Sequence, residues 1–145
     1  MAKFRFSPFN NDAHVKRHFI SEKLRVERYF PCFRCELRPN HLICKGIITP
    51  EERCDSYHIK IKYTQHGVPR VYITNPVIEP MSAYHMYGDG SLCLYDHREA
   101  PWSAKMMLHE TIIPWTAEWI VFYELWKLTG QWLGPAAPHD PSKNT

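Results

Sequence analysis

One cysteine of this chain follows closely after a short turn that contains two glycines. Cys93 lies in the segment 88–95, which consists of Gly-Asp-Gly-Ser-Leu-Cys-Leu-Tyr. A thiol at the edge of a glycine-permitted turn stays within reach of a large substrate, whereas most cysteines are inert core residues. Sulfur is intrinsically nucleophilic, and its thiolate forms covalent intermediates with acyl groups. We therefore interpret Cys93 as a nucleophile.

Polar groups near Cys93 could assist the transfer of an acyl group from its sulfur. The candidates are the backbone N–H groups of residues 88–92 and the side chains of His85, Tyr87, Asp89, Asp96 and His97. The N–H groups, the Tyr87 hydroxyl or a histidine ring could stabilise an oxyanion, and Asp96 or Asp89 could orient or deprotonate an amine. We expect His85 to brace the loop rather than to act as a base. Asp96 and His97 are equally typical of a polar surface.

Four other cysteines raise the question of a zinc site. Cys32 and Cys35 have knuckle spacing, but nine residues separate Cys44 from Cys54, and zinc sites usually have a second close pair. Cys32 and Cys35 also lie at or near a strand, where positions i and i+3 face opposite sides. We expect separate thiols, no metal and no other cofactor. The total of five cysteines is odd and no secretory context accompanies them, so we expect all of them to be reduced.

Size and composition are typical of one ordinary globular domain. The chain has 145 residues, 44% of them apolar and 23% charged, with a formal net charge of +3. We expect a single domain over residues 1–134 and a proline-rich, flexible tail over residues 135–145. No apolar run reaches the roughly 18 residues of a membrane span, and no secretory signal opens the chain, so we expect a cytoplasmic protein without a membrane partner. The scattered basic residues give no reason to expect nucleic acid.

Hydrophobic spacing predicts a helix, then strands. Val15, Phe19 and Ile20 recur at helical spacing after possible N-cap residues at positions 10–12, and the pattern ends near Leu24. Four segments have strand character: Phe33 to Leu37, His41 to Thr49, Tyr57 to Tyr63 and Val71 to Thr74. Proline- and glycine-containing turns join them, which favours an antiparallel meander. Residues 75–101 are irregular, and such segments inside a compact domain are usually functional.

A second helix is predicted from Thr111 to Thr129. Pro114 suits its first turn and Gly130 its C-terminal end. Four aromatic residues at i, i+4, i+7 and i+11 form one stripe: Trp115, Trp119, Phe122 and Trp126. Such a stripe is more often core than a ligand site, and we expect it to lie on the sheet.

The order of these elements resembles the ubiquitin-conjugating (UBC) fold. Tyr84-His85 resembles the start of that family's Tyr-His-Pro-Asn signature, residues 90–94 resemble its Gly-Ser-Ile-Cys-Leu stretch, and Trp102-Ser103 matches the Trp-Ser pair that follows. Within the superfamily, residues 88–95, 114–119 and 129–135 resemble most closely the bacterial conjugating-enzyme-like proteins of antiphage CBASS operons. The chain resembles their stand-alone form, which has no fused activating domain. The fold class implied is α+β, with the C-terminal helix packed on a four-stranded sheet.

The resemblance implies an acyltransferase with Cys93 as its catalytic residue. The partner would be a cGAS-like nucleotidyltransferase, whose C-terminal tail occupies the active-site groove and whose terminal glycine forms a thioester with Cys93. The acyl group would then pass to a lysine of a target protein. Met86 and Tyr87 replace the family's proline and asparagine. The loss of that asparagine leaves the eukaryotic route of lysine transfer open to question but does not affect thioester formation.

Two alternatives stay open at this point. The chain could be a catalytically weak binding module of the same fold that docks and regulates the nucleotidyltransferase. It could also be an unrelated thiol hydrolase, which would need His85 or His97 paired with Cys93 and a small-molecule pocket. The sequence does not identify the acceptor lysine, the oligomeric state, or a requirement for an activating enzyme.

Overall fold

The computed structural model describes residues 8–52, 55–95 and 101–135. In chain order they form α1 (Pro8–Tyr29), β1 (Phe33–Leu37), β2 (His41–Ile48), β3 (Tyr57–Thr64), β4 (Arg70–Asn75), a 3₁₀ turn (Ser82–Tyr84) and α2 (Ile112–Thr129). The four strands make one antiparallel sheet in the order β1-β2-β3-β4. The α+β fold class and the meander are therefore confirmed. The tail residues 136–145 lie outside the described residues.

Helix α1 extends farther than predicted in both directions. It begins at Pro8, so positions 10–12 are not its N-cap, and it ends at Tyr29 rather than near Leu24. Phe19, Glu22 and Val26 share its buried face. The pattern used for the prediction included Ile20 and Leu24, which are 39% and 60% exposed, so it did not follow the buried face to the end of the helix.

Buried Glu22 connects α1 to the segment before α2. Its carboxylate accepts a hydrogen bond from the backbone N–H of Leu108 at 2.9 Å and pairs with Arg25 at 2.5 Å. A buried carboxylate with a charge partner and a backbone donor is compensated for its loss of hydration. Glu22 therefore has a structural role.

Each predicted strand is correct to within one residue at each end. The sheet that the strands form has one buried and one exposed face. On the buried face, side chains from three neighbouring strands pack at the centre of the core: Cys44, Ile61 and Val71. On the other face, Arg34, Lys45 and Lys60 are direct neighbours across β1, β2 and β3. The alternation of buried and exposed positions in β3 is the period-2 pattern that made this strand predictable.

Two of the cysteines form a cross-strand disulfide. Cys35 of β1 pairs directly with Cys44 of β2, their Cα atoms are 4.0 Å apart, and their sulfurs are bonded. The prediction that all five cysteines are reduced is wrong for this pair, because the antiparallel register brings together two residues that lie nine positions apart. Cys32 is exposed, and Cys54 lies outside the described residues. Within the described ranges, no three His, Cys, Asp or Glu residues are grouped so that they could hold a metal.

Helix α2 has the predicted ends. Pro114 lies in its first turn, and Gly130 follows its last residue with a φ of +74°. The Gly130 N–H donates to the carbonyl of Trp126 at 2.7 Å, so a left-handed glycine terminates the helix. Neither α1 nor α2, the helices of the described residues, combines the length and apolar character needed to cross a bilayer.

The aromatic stripe of α2 faces mainly the segment between β4 and α2. Trp119 is a core residue, 3% exposed, as predicted. Trp115 and Trp126 are half-buried and contact the rings of Tyr95 and Tyr84, with centroids 5.2 Å and 4.8 Å apart. The same helix reaches the sheet at Tyr57 of β3, whose hydroxyl donates to Glu124 and whose ring contacts Tyr123. Helix α2 therefore connects the sheet to the segment that contains Cys93.

Candidate active site

A tight turn positions the chain just before Cys93. Gly90 has a φ of +86°, a left-handed conformation that favours glycine. Its N–H donates to the Tyr87 carbonyl at 2.9 Å, and the Tyr87 N–H donates to the Ser91 carbonyl at 2.9 Å. The N–H of Leu92 donates to a carbonyl of β4, also at 2.9 Å. These bonds fix the turn to the sheet.

The backbone of Cys93 is held by His85 and, through it, by α2. The Cys93 N–H donates to the His85 carbonyl at 2.9 Å. The Trp119 indole N–H donates to that same carbonyl at 3.2 Å and to the Tyr84 carbonyl at 3.0 Å. His85 itself has a φ of 56°, unusual for a residue other than glycine. A buried tryptophan of α2 thus fixes the chain reversal next to the candidate nucleophile.

The side chains of Tyr87 and Cys93 are hydrogen-bonded to each other. Burial raises the pKa of the Tyr87 hydroxyl well above its ordinary value, and the hydrogen bond to Cys93 and the charge of its thiolate raise this pKa further. The hydroxyl therefore keeps its proton at neutral pH, where it can donate to a thiolate or an oxyanion. The Cys93 side chain is partly exposed, so a substrate can reach it.

Asp89 stabilises the turn. Its carboxylate accepts hydrogen bonds from the backbone N–H and the hydroxyl of Ser91 at 2.9 and 2.6 Å, and it pairs with Arg70 at 3.3 Å. Burial raises its pKa, but the two Ser91 hydrogen bonds and the Arg70 charge outweigh burial, and the net pKa is below the ordinary value. A carboxylate with a lowered pKa is a weak base, so this geometry favours a bracing role for Asp89 over deprotonation of an amine.

A cavity of about 270 Å³ opens beside Cys93, between residues 93–95 and α2. It is lined by Cys93, Leu94, Tyr95, Trp115, Glu118, Trp119, Phe122, Trp132 and Pro135. Most of these side chains are aromatic, and Glu118 is the carboxylate among them. The approach to the sulfur through this cavity is therefore largely apolar.

The predicted site residues have different outcomes. His85 contacts Cys93 through its backbone, while its ring lies 4.9 Å from the Trp132 ring, an arrangement that favours bracing. Asp96 and His97 lie outside the described residues. Trp132 and Glu118 were not predicted to be site residues. Both lie in segments that carry the family resemblance, residues 114–119 and 129–135, and this resemblance is the signal that could have found them.

Trp115 and Phe122 were assigned to the core because they belong to the aromatic stripe of α2. An apolar helix face has the same sequence pattern whether it borders a core or a cavity. The pattern therefore predicted the orientation of these residues but not the open space beside them.

One family model matches the chain. The model of the type II CBASS E2 protein family matches residues 22–140, which is most of the chain and includes the turn, Cys93 and α2. No curated protein matches the chain.

Proposed function

The chain belongs to the type II CBASS E2 protein family, and we propose that it is a cysteine-dependent acyltransferase with Cys93 as its acyl carrier. Membership indicates an E2-like role in antiphage defence. In the proposed reaction, the Cys93 thiolate attacks the C-terminal carbonyl of a partner protein that arrives as a thioester on an activating enzyme. A new thioester forms on Cys93, and the thiol of the activating enzyme leaves.

In the second step, a lysine amine attacks the carbonyl of the Cys93 thioester. An isopeptide bond forms, the Cys93 thiolate leaves, and the amine loses a proton to solvent or to a base. The first exchange needs little activation because one thioester replaces another and sulfur is a strong nucleophile. The second step develops an oxyanion, for which a single well-placed donor contributes about 3 kcal/mol.

The observation that supports this proposal most strongly is the placement of Cys93 on the wall of the aromatic cavity. The thiol is partly exposed, and an extended chain entering the cavity would bring its end to the sulfur. A buried structural cysteine would have neither feature. The position of Cys93 therefore favours a nucleophile that serves a polypeptide.

The Tyr87 hydroxyl supports the second step. It is hydrogen-bonded to Cys93, and its raised pKa keeps it protonated. We propose that it replaces the missing asparagine by donating to the oxyanion and to the departing thiolate. His85 and Asp89 then act as positioning residues, and Asp96 remains a candidate for orienting the amine.

We infer the partner from the family. Type II CBASS context favours a nucleotidyltransferase, and we propose that the C-terminal glycine of a cGAS-like enzyme is the group that Cys93 carries. We propose further that the fold is of the UBC type. The helix, four-stranded meander, active-site segment and second helix, in that order, are consistent with it.

Intact-mass analysis of the chain co-expressed with the nucleotidyltransferase of its operon and with an activating enzyme tests the reaction. We expect an adduct whose mass is the sum of the two chains minus one water. A reducing thiol should remove the thioester, and Cys93→Ala should abolish it. Cys32→Ala is the matched control, because this exposed thiol lies outside the site. Activation of the partner by Cys93→Ala protein with no adduct in the wild type would instead identify a docking module.

A further inference from the structure

Strand β1 forms one edge of the sheet, because it pairs with β2 alone. An edge strand presents N–H and C=O groups that can bind another chain. The Arg38 N–H donates to the His41 carbonyl at 2.9 Å, and hydrogen bonds to the neighbouring strand alternate along an antiparallel pair. The backbone groups of Cys35, three positions away, therefore point out of the sheet. The opposite edge binds the chain itself, since the Leu92 N–H donates to the Val71 carbonyl of β4 at 2.9 Å.

Two side chains of α1 bind the outward groups of Cys35. The Glu27 carboxylate accepts a hydrogen bond from the Cys35 N–H at 2.9 Å, and the Lys23 ammonium donates to the Cys35 carbonyl at 3.0 Å. Lys23 and Glu27 also pair with each other at 2.8 Å. The bond from the Cys35 N–H is the largest cause of a lowered pKa at Glu27, and Lys23 lowers it further, so the carboxylate is ionised. While these side chains stay in place, a further strand cannot pair with β1 at this position.

The sequence of β1 is complementary to itself. Its residues are Phe-Arg-Cys-Glu-Leu, and an antiparallel pair of two β1 strands can be centred on Cys35. Arg34 of each copy then lies opposite Glu36 of the other, and Phe33 lies opposite Leu37. Opposite charges that face each other across two strands stabilise their pairing, and a twofold axis makes each such contact twice. The edge therefore fits a second copy of this chain.

We propose that β1 is a pairing site for a second copy and that Lys23 and Glu27 hold this site closed. When they are displaced, the outward backbone groups of β1 bond to the other copy, and two four-stranded sheets become one. The ion pair that Glu36 makes with Arg38 at 3.1 Å competes little, because both side chains are exposed and such pairs are weak. The pairing does not depend on the proposed reaction at Cys93.

Sedimentation equilibrium of the Lys23→Ala/Glu27→Ala protein tests the closure. Its dimers should form with a dissociation constant at least fivefold lower than that of any wild-type dimer. Lys16→Ala/Glu79→Ala, which removes one exposed charge of each sign elsewhere, should behave as wild type. In dilute solution the Cys35 amide of the Lys23→Ala/Glu27→Ala protein should exchange its hydrogen at least fivefold faster than in wild type. Equal self-association of the variant and wild type, or an unchanged exchange rate at Cys35, would overturn the proposal.

Charge exchange on β1 tests where the two copies meet. In the Lys23→Ala/Glu27→Ala background, Arg34→Glu should weaken the dimer at least fivefold, because carboxylates then face each other. Adding Glu36→Arg should restore the affinity to within twofold. If near-ultraviolet circular dichroism shows that the background variant does not fold, Lys23→Met replaces it, since this change frees the Cys35 carbonyl and keeps Glu27. A dimer that Arg34→Glu leaves unchanged would place the contact elsewhere and overturn the proposal.

Discussion

Cys93 and Tyr87 form a hydrogen-bonded pair at the edge of the glycine turn. The pair joins the proposed nucleophile to a protonated donor, the Tyr87 hydroxyl, whose pKa is raised by burial and by the neighbouring sulfur. A donor fixed before the reaction begins does not need to reorganise as charge develops. This preorganisation is the main contribution that single residues make to the proposed chemistry.

Replacing Tyr87 with phenylalanine should separate the two steps. Thioester formation should remain within about threefold of wild type because sulfur exchange needs little activation. Aminolysis should slow about 10- to 100-fold because one oxyanion donor is lost. Single-turnover kinetics on preloaded protein provide the measurement, with Tyr72→Phe on β4 as the control. Equal slowing of both steps would show that Tyr87 is structural only.

Asp89 should make the stability of the turn pH-dependent. Its folded pKa lies below its ordinary value of 3.8, so the folded state favours the ionised form. This contribution is present above pH 3.8 and disappears as the pH falls through the folded pKa. Asp89→Asn should therefore be less stable than wild type at neutral pH, and the difference should shrink in acid. Urea unfolding across this pH range measures the difference in the free energy of unfolding between wild type and Asp89→Asn. A difference that does not change with pH, and that equals the one for the exposed Asp55→Asn control, would contradict this prediction.

At the scale of elements, the sheet and α2 hold the turn from opposite sides. Strand β4 binds the backbone of Leu92, and Trp119 of α2 binds the carbonyls of Tyr84 and His85. Gly90 makes the reversal possible because its φ of +86° strains other residues. The position of Cys93 thus depends on a few backbone hydrogen bonds and one glycine.

A pair of glycine substitutions tests that dependence. A Cβ atom on Gly88 or Gly90 would meet no heavy atom within 4 Å, so neither substitution causes a clash. Gly90→Ala should cost about 1–2 kcal/mol of stability, because alanine is strained in the left-handed region. Gly88→Ala should change stability by less than about 0.5 kcal/mol, as surface substitutions usually do. Denaturant unfolding measures the loss of stability in each variant. An equal loss in Gly88→Ala and Gly90→Ala would refute the explanation by backbone conformation.

The sequence predicted the elements well and their long-range contacts poorly. Alternation in β3 and the residues Pro114 and Gly130 gave accurate bounds, because these signals are local. The end of α1 was missed because the predicted pattern included the exposed residues Ile20 and Leu24. The disulfide was missed because pairing of Cys35 with Cys44 depends on strand register.

For the candidate site, the local motif predicted Cys93, and the catalytic role of this residue stays a prediction. The motif could not reveal a cavity wall that comes from α2 and from Trp132 beyond it. Such walls are set by tertiary packing rather than by local spacing. The stand-alone form, the domain bounds 1–134 and the roles of Asp96 and His97 stay predictions.

At the scale of the whole molecule, buried phenols make the fold sensitive to alkali. Burial is the largest cause of a raised pKa at six tyrosines: Tyr57, Tyr63, Tyr84, Tyr87, Tyr95 and Tyr123. Burial raises the pKa of Tyr95, for example, from 10.0 to about 12. The folded state favours the neutral phenols, so their contribution is complete below pH 10 and disappears as the pH rises through the folded pKa values.

We therefore expect the free energy of unfolding to fall above pH 10. Tyrosinate absorbance should rise together with the loss of near-ultraviolet circular dichroism, because these phenols ionise mainly on unfolding. A gradual titration of all eight tyrosines near the ordinary pKa of 10.0, with the fold intact, would contradict the burial of these six hydroxyls.

The central claim is that Cys93 carries the C-terminal acyl group of another polypeptide. Its most direct test is the Cys93→Ser protein loaded with the activated partner and analysed by intact mass and peptide mapping. An oxygen ester is less reactive towards thiols and amines than a thioester, so the account predicts an adduct that resists reducing agent and maps to residue 93. The wild-type adduct should be released by the same treatment. Two results would contradict the account. One is an adduct at another residue, and the other is the absence of any adduct on either protein although the chain still stimulates the partner's activity.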